Sequence, residues 1–332
     1  MNSVNWKTHP CIRRHPANPV LSAKDVPYPA MLVFNAGVTK YQGRYVMVFR
    51  NDYGEVEKKK ITGRNLGLAW SRDGVTWEVA REPLNGDPEH PLARAYDPRL
   101  TVLEGRVYMS FAISNHGTCA GVAVTDDFEK WEILNVSVPD NRNMVIFPER
   151  IGGKIVRLER PFAGYLRPGD RFDMWLSTSP DGRFWGESRV VLATYQVPWV
   201  NNKVGPGAPP VKTEKGWLTV FHGVDIDLSR HWGWEGNWNK RYCAGLALLD
   251  LKEPWRVIGL MREPLIVPEP EIACEAKGYR DYVIFPGGLV VEDDGRVKIY
   301  YGAADTVECL AEADLEELLR LCEQPPEVPL KG

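Results

Sequence analysis

The chain is poor in the features that mark the commonest chemistries. Its six cysteines (Cys11, Cys119, Cys243, Cys274, Cys309 and Cys322) lie far apart and form no CxxC pair. No HExxH, EF-hand loop or Cys/His cluster with ligand spacing occurs, so no metal is expected. The GxSxG elbow of the α/β-hydrolases and the glycine-rich loop of P-loop proteins are missing as well. No run of about 18 apolar residues is present, and Met1 to Pro10 contains no apolar signal-peptide core, so no membrane partner is expected. A cytoplasmic location with reduced thiols is the expectation that follows. Charge of one sign is lacking too. The 41 Lys and Arg residues nearly balance 44 Asp and Glu, leaving a net charge of −3, which argues against a nucleic-acid or broad membrane surface. Helical periodicity is scarce and confined to Ala311–Cys322, where leucines recur at helical spacing. That scarcity removes α/β folds.

What the chain does have is aromatic side chains and a repeat. Twelve tryptophans and 13 tyrosines could fill β-sheet cores or stack on sugar faces. One pattern occurs five times: an apolar strand, a turn containing glycine, then an alternating strand. The copies are FNAGVTKYQGRYVMVFR, YDPRLTVLEGRVYMSFA, MVIFPERIGGKIVRLER, GAPPVKTEKGWLTVFHG and PGGLVVEDDGRVKIYYG, with turn glycines at Gly43, Gly105, Gly153, Gly216 and Gly295. Each reads as a β-hairpin. A second pattern, a strand, a polar turn and a closing tryptophan, follows most of them. Trp77, Trp131 and Trp185 recur every 54 residues, with a looser copy at Trp255. Two hairpins make a four-stranded sheet, and five such sheets predict an all-β, five-bladed β-propeller with a short C-terminal helix. The expected blades span about residues 30–80, 94–135, 141–192, 204–260 and 280–310, in one domain with a helix over 311–322. A β-sandwich is the competing architecture, but no Pro/Ser-rich linker separates the copies.

Aligning the copies superposes side chains. Eight residues before the turn glycine stand Asn35, Asp97, Val145, Ala208 and Gly287; seven after it stand Arg50, Ala112, Arg160, Gly223 and Gly302. In an antiparallel hairpin these ends are neighbours, so they ring one mouth of the channel. That mouth is polar: Asn35, Arg50, Asp97, Arg142, Asn143, Arg160, His222, Asp225 and Asp305 fall there, and convergent polar groups around a pocket mark a site. Asp97 precedes a proline, which a turn alone would explain. Beside Tyr96 it is also a candidate general acid, a partly desolvated carboxyl expected to stay protonated near neutral pH. Arg142, Arg160, Lys203 and His222 come from separate segments. Singly each is an ordinary ion-pair or surface residue; together they suggest an oxyanion ligand, and guanidinium forks suit phosphate. Gly205 and Gly207 could let backbone approach that anion, or could serve the turn. His116, in SNHG, is a further candidate for substrate contact.

The motifs FNAGV, FRNDYG, AYDPRL, VPDNRNMVIFPERI, VRLERPF, NNKVGPGAPPVKT, FHGVD, DYVIFPGG and YYGAADT resemble glycoside hydrolase family 130 from about Asn18 to Cys322. FRNDYG and the insertion RHWGWEGNWNKRYCAG are most similar to the members acting on 4-O-β-D-mannosyl-D-glucose. The resemblance implies an inverting phosphorolysis of a β-mannoside that yields α-mannose 1-phosphate, with inorganic phosphate as co-substrate and no cofactor. Asp97 matches the family's general acid, which protonates the glycosidic oxygen through the mannose 3-hydroxyl. Arg142, Asn143, Arg160, Lys203, His222 and Tyr242 match its phosphate-binding positions, and Asn35, Arg50 and Asp305 its contacts to mannose. Inverting hydrolysis needs a second carboxylate to activate water; phosphate is already an anionic nucleophile, so a cationic cradle can replace that base. Phosphorylases of β-1,4-mannooligosaccharides or β-1,2-mannosides share this chemistry. A family hydrolase would lack the cations, a five-bladed furanosidase or fructosidase would need another carboxylate, and a sugar-binding propeller would not turn over. The partners implied are small molecules, and a homo-oligomer is left open.

Overall fold

The structure is a computed structural model that describes residues 6–114, 117–162 and 172–330. It is all-β with few helices. Among the described residues the sequence repeats become antiparallel meanders. The first comprises Leu32–Tyr41, Arg44–Glu55, Lys60–Ser71 and Glu78–Val79; the second Ala95–Leu103, Arg106–Ser114, Thr118–Thr125 and Glu132–Val136. The third is Asn141–Ile146, Ile155–Pro161, Met174–Ser179 and Gly186–Leu192. The fourth runs through Lys203–Pro206 and Val211–Lys212, Trp217–Ile226, Lys240–Leu249 and Val257–Leu260. The last repeat is Ile284–Val291, Arg296–Ala303 and Val307–Asp314, and its outer strand comes from the other end of the chain, Arg13–Arg14. It is not a separate sheet: a single parallel pair, Gly288 with Val38, joins it to the first meander in one eight-stranded sheet.

Local sequence explains the turns. Gln42–Gly43, Glu104–Gly105 and Gly152–Gly153 all carry positive φ at both positions, the two-residue hairpin turn whose twist matches the strands. The tryptophan motif also has a mechanism. Ser71, Thr125 and Ser179 each accept a backbone N–H three residues on, while Asp73, Asp127 and Asp181 each accept two more. The closing Trp131 and Trp185 then donate Nε1–H back to the turn. Such local bonds favour a turn over continued strand.

Sheets covered on both faces lose strict alternation. Tyr45, Val46, Met47, Val48 and Phe49 are consecutive and all buried, because odd and even positions face different neighbours. One core cluster couples the first and second repeats (Val48, Leu66, Leu100, Met109), one the second and third (Tyr108, Val122, Ile146, Ile155), and one the third and fourth (Leu158, Leu176, Phe221, Leu249). Another joins the fourth to the last (Val220, Leu246, Ile284, Ile299), and another the last to the first (Met47, Phe49, Tyr300, Leu310). Each buried leucine or valine contributes roughly 1.5–3 kcal/mol.

The C-terminal helix is shorter than expected. Ala311 and Ala313 pair with Ile299 and Val297 in the edge of the sheet, and only Leu315–Arg320 is helical. Asp314 caps it by accepting from the Glu317 N–H. Alternating small residues in AEAD satisfied either period; the open strand edge decided for β.

Candidate functional site

The inner strand of every repeat carries a bulge. Phe34 pairs with Arg50 and Gly37 with Val48, so Asn35 and Ala36 together face Phe49. The same break leaves Asp97 and Pro98 opposite Phe111, and Asn143 and Met144 opposite Glu159. Gly207 and Ala208 both donate to Val220 O, and Gly287 is the extra residue of the last repeat. Asn35, Asp97 and Asn143 sit at φ 54°, 51° and 58°, a strained left-handed geometry that turns a side chain out of the pleat. Aligned by these bulges, the third and fourth repeats present Asn143 and Gly207, not the Val145 and Ala208 expected from the turn glycines.

The bulges open on a cavity of about 310 Å³, within the range of small-ligand sites. Asn35, Arg50, Asp97, Arg142, Lys203, Tyr242 and Asp305 line it, as the sequence anticipated. On one side Asp97 Oδ1 accepts from Asn35 Nδ2 at 3.1 Å and Arg50 Nη1 at 3.3 Å. Arg50 is held by the buried Asp52 at 2.8 Å and lies over the rings of Phe34 and Tyr96. Asp305 joins this side from a turn at φ 49°.

On the other side cations gather. Arg142 and Arg160 face each other across the strand pair. Arg160 is buried; its Nη2 donates to Asn143 Oδ1 at 2.7 Å, while its Nε and that of Arg142 have no partner among the described residues. Lys203, also buried, touches the rings of Phe172 and Tyr242 and has no carboxylate partner among those residues. Burial and the neighbouring Arg142 lower Arg160 to about 9, and burial with Arg160 and Lys240 takes Lys203 well below the usual lysine value. His222 lies beneath Tyr242 and Phe285, its ring 4.8 Å from that of Phe285. Burial, then Arg160 and Lys203, depress it far below 6.5, so it is neutral. Its Nδ1–H donates to Pro206 O at 3.1 Å, which leaves Nε2 as a bare acceptor, buried and unpartnered. Cations crowded together with no carboxylate ion-paired to them among the described residues, each raising the cost of its neighbours, are what an oxyanion would relieve.

Several expectations need correction. Burial pushes Asp97 up, but Arg50, Arg142 and the Asn35 amide outweigh it and hold the carboxyl below its usual range, so it is ionised instead of protonated. The raised carboxyl is Asp305, which burial lifts to about 7. Asp225 does not line the cavity; it is bound by Arg241 at 3.1 Å and paired with Arg230 at 2.9 Å. Gly205 and Gly207 do not leave room for an anion. A Cβ on Gly205 would meet His222 Cε1 at 2.6 Å and Arg160 Cδ at 2.8 Å, and one on Gly207 would meet Val220 O at 2.8 Å. These glycines admit packing. His116 lies outside the described residues.

Trp238, from the 232–238 loop on which the acceptor pocket was expected to depend, also lines the cavity; the sequence reading missed Arg64, Lys240, Tyr279 and Arg280. Lys240 had a signal: it stands two residues before Tyr242 in one strand, hence on the same face. Arg64 stacks 4.9 Å from the Tyr96 ring and Arg280 4.5 Å from that of Tyr279. The latter two come from a loop with no periodicity to read.

Comparison with known proteins agrees with this geometry. The family model described as beta-1,4-mannooligosaccharide phosphorylase matches residues 7–324. The beta-1,4-mannooligosaccharide phosphorylase of Ruminococcus albus is 31% identical over 96% of this chain and 94% of its own. The 4-O-beta-D-mannosyl-D-glucose phosphorylase of Bacteroides fragilis is 29% identical over 88% and 75%. In three dimensions the chain resembles the beta-1,2-mannobiose phosphorylase of Listeria innocua, solved with beta-1,2-mannobiose, at a TM-score of 0.79 and 26% identity over 94% and 99% of the two chains. With a family model spanning nearly its whole length, the chain belongs to glycoside hydrolase family 130, the family of mannoside phosphorylases.

Proposed function

We propose that the chain is an inverting phosphorylase that cleaves β-1,4-mannosyl-glucose with inorganic phosphate to α-mannose 1-phosphate and glucose. The observation that carries this reading is the cation group formed by the buried Arg160 and Lys203 and the half-buried Arg142, none of which is ion-paired to a carboxylate among the described residues. They hold phosphate below the anomeric carbon, with the Asn143 amide, the Tyr242 hydroxyl and His222 Nε2 completing the shell; the last accepts a hydrogen bond from a protonated phosphate oxygen. Positioning the nucleophile in line and offsetting its charge supply much of the acceleration. A phosphate oxygen forms the new C1–O bond as the glycosidic C1–O bond breaks, and the departing oxygen takes a proton originating at Asp97. Asn35, Arg50 and Asp305 bind the mannose.

Phosphate also adjusts the acid. Asp97 is held ionised largely by Arg50 and Arg142. An anion on Arg142 offsets part of that field and raises Asp97 towards its ordinary value, so a proton taken from solvent costs less once the nucleophile is seated. This order ties proton delivery to a filled phosphate site.

The cyclic succession of cores, each joining one repeat to the next and the last to the first, supports a single five-bladed propeller, with Arg13–Arg14 completing the final blade. The insertion before Lys240 supplies Trp238 at the rim, where an acceptor sugar would stack. A β-1,4-mannooligosaccharide is the second reading, favoured by the match to the Ruminococcus albus enzyme. Incubation with α-mannose 1-phosphate and glucose, mannose, N-acetylglucosamine or mannobiose tests both. Glucose is expected to give the fastest phosphate release; release with none of these acceptors would refute the phosphorylase reading.

A further inference from the structure

We infer that Arg99 is a positioning residue: its buried guanidinium ties together the backbone of four strand bulges and so holds Asp97 and Asn35 in their working geometry. The inference rests on the proposed phosphorolysis. Arg99 does not itself line the cavity; it lies behind the wall and reaches the lining only through the backbone of Asn35 and the ring of Phe285. It is 3% exposed. Its Nε donates to Gly207 O at 2.6 Å, its Nη1 to Asn35 O at 3.1 Å and Pro98 O at 2.7 Å, and its Nη2 to Pro286 O at 2.9 Å.

Every one of those carbonyls belongs to a bulge or adjoins one, in the first, second, fourth and last repeats. A buried carbonyl at a bulge, where the ladder is locally broken, needs a donor from elsewhere. One planar fork serves all four together, which no other side chain can do. Its surroundings are shaped to it: the Phe285 ring lies 5.1 Å away, and a Cβ on Gly287 would stand 3.4 Å from its Cζ. Glu308, whose carboxyl accepts from the Ala36 N–H at 3.1 Å, fastens the neighbouring bulge residue. The consequence reaches the acid directly. Asn35, gripped by its carbonyl, presents its amide to Asp97 Oδ1, and Pro98, gripped likewise, is the residue after Asp97.

The third repeat is fastened differently. Its bulge carbonyl, Met144 O, takes a hydrogen bond from Ser110 Oγ at 2.5 Å. Arg142 and Arg160 are therefore held independently of Arg99, and this separation sets the test.

The full-length Arg99→Lys and Arg99→Gln variants are compared with wild type in phosphorolysis of β-1,4-mannosyl-glucose, with rates normalised to folded protein by circular dichroism. Lysine keeps the charge but cannot span four carbonyls from one nitrogen. Misplacing the acid should lower kcat about 100-fold while the phosphate KM stays within about threefold. A merely stabilising residue would lower the amount of folded enzyme and leave kcat per folded molecule alone. A kcat within about threefold of wild type, or a kcat and phosphate KM that move together, overturns the inference. An inactive wild type overturns the phosphorylase reading and this inference with it; an active wild type matched by its variants overturns the inference alone. Should neither variant fold, hydrogen exchange on wild type decides: the Ala36 and Gly207 amides should exchange as slowly as the core strands, and fast exchange contradicts the role.

Discussion

Asp97 and its neighbours show how one carboxyl can be both buried and ionised. Three cationic or amide groups hold it below the usual range, while Asp305, nearby but less well compensated, is lifted to about 7. Replacing the proton source should therefore be costly and local. Asp97→Asn is expected to cut α-mannose 1-phosphate formation about 10²- to 10⁴-fold, the usual worth of general acid catalysis. Phosphate binding measured by calorimetry should survive, and activity within about tenfold of wild type would remove Asp97 from that role. Arg160→Ala takes away one arm of the cation group and leaves Asn143 Oδ1 without its donor. The phosphate KM should rise at least about tenfold, near 1.4 kcal/mol, with the mannoside KM almost unchanged. A shift confined to the mannoside KM would count against the cradle. Glu308 gives a pH test away from the chemistry. Burial raises its folded value to about 8 from an ordinary 4.5, so the native state holds a proton that the unfolded chain releases. Its contribution is complete below about pH 4.5 and fades as pH rises towards 8. Glu308→Gln should gain thermal stability relative to wild type between pH 5 and 8.5; a constant difference in Tm would show that Glu308 does not carry the proton.

At the scale of elements, the bulge is the device that converts an ordinary hairpin into a site wall. A strand that ran straight would point Asn35, Asp97 and Asn143 into the sheet's own packing. Gly287 does the same job where two backbones touch: an added Cβ would stand 1.9 Å from Ala36 O. Gly287→Ala is expected to cost about 1–3 kcal/mol of stability, the range for overpacking. Because Ala36 adjoins Asn35, kcat should fall as well; unchanged melting and activity would mean the strands part freely. The hairpins and tryptophan turns were legible because glycine, serine and aspartate act locally. The register was not. The third inner strand carries two more residues between bulge and turn than the first, ten against eight, through the irregular segment 147–150. A slip of two leaves every side chain on its original face, so alternation cannot detect it. Asn143 was still found, through its neighbours Arg142 and Arg160. Arg99 was not singled out, since its partners are backbone carbonyls from remote repeats that no side-chain pattern records.

Over the whole molecule, the apolar faces of successive repeats couple in order, and the last repeat borrows its outer strand from Arg13–Arg14. Two residues have no period, so that strand was not legible before the fold was known. The polar ends were foreseeable as a group because sheet stability does not require them, whereas Tyr279 and Arg280 reach the cavity from an irregular segment fixed only by tertiary packing. What unites the molecule is a neutral-to-acidic protein that concentrates buried positive charge at one point. That concentration is an expense to folding unless an anion takes part in the reaction. The most direct measurement follows β-1,4-mannosyl-glucose cleavage by NMR across a phosphate titration that begins at zero. The expected result is no cleavage without phosphate and saturable formation of α-mannose 1-phosphate with it; release of free mannose at an equal rate in phosphate-free buffer would contradict the central claim.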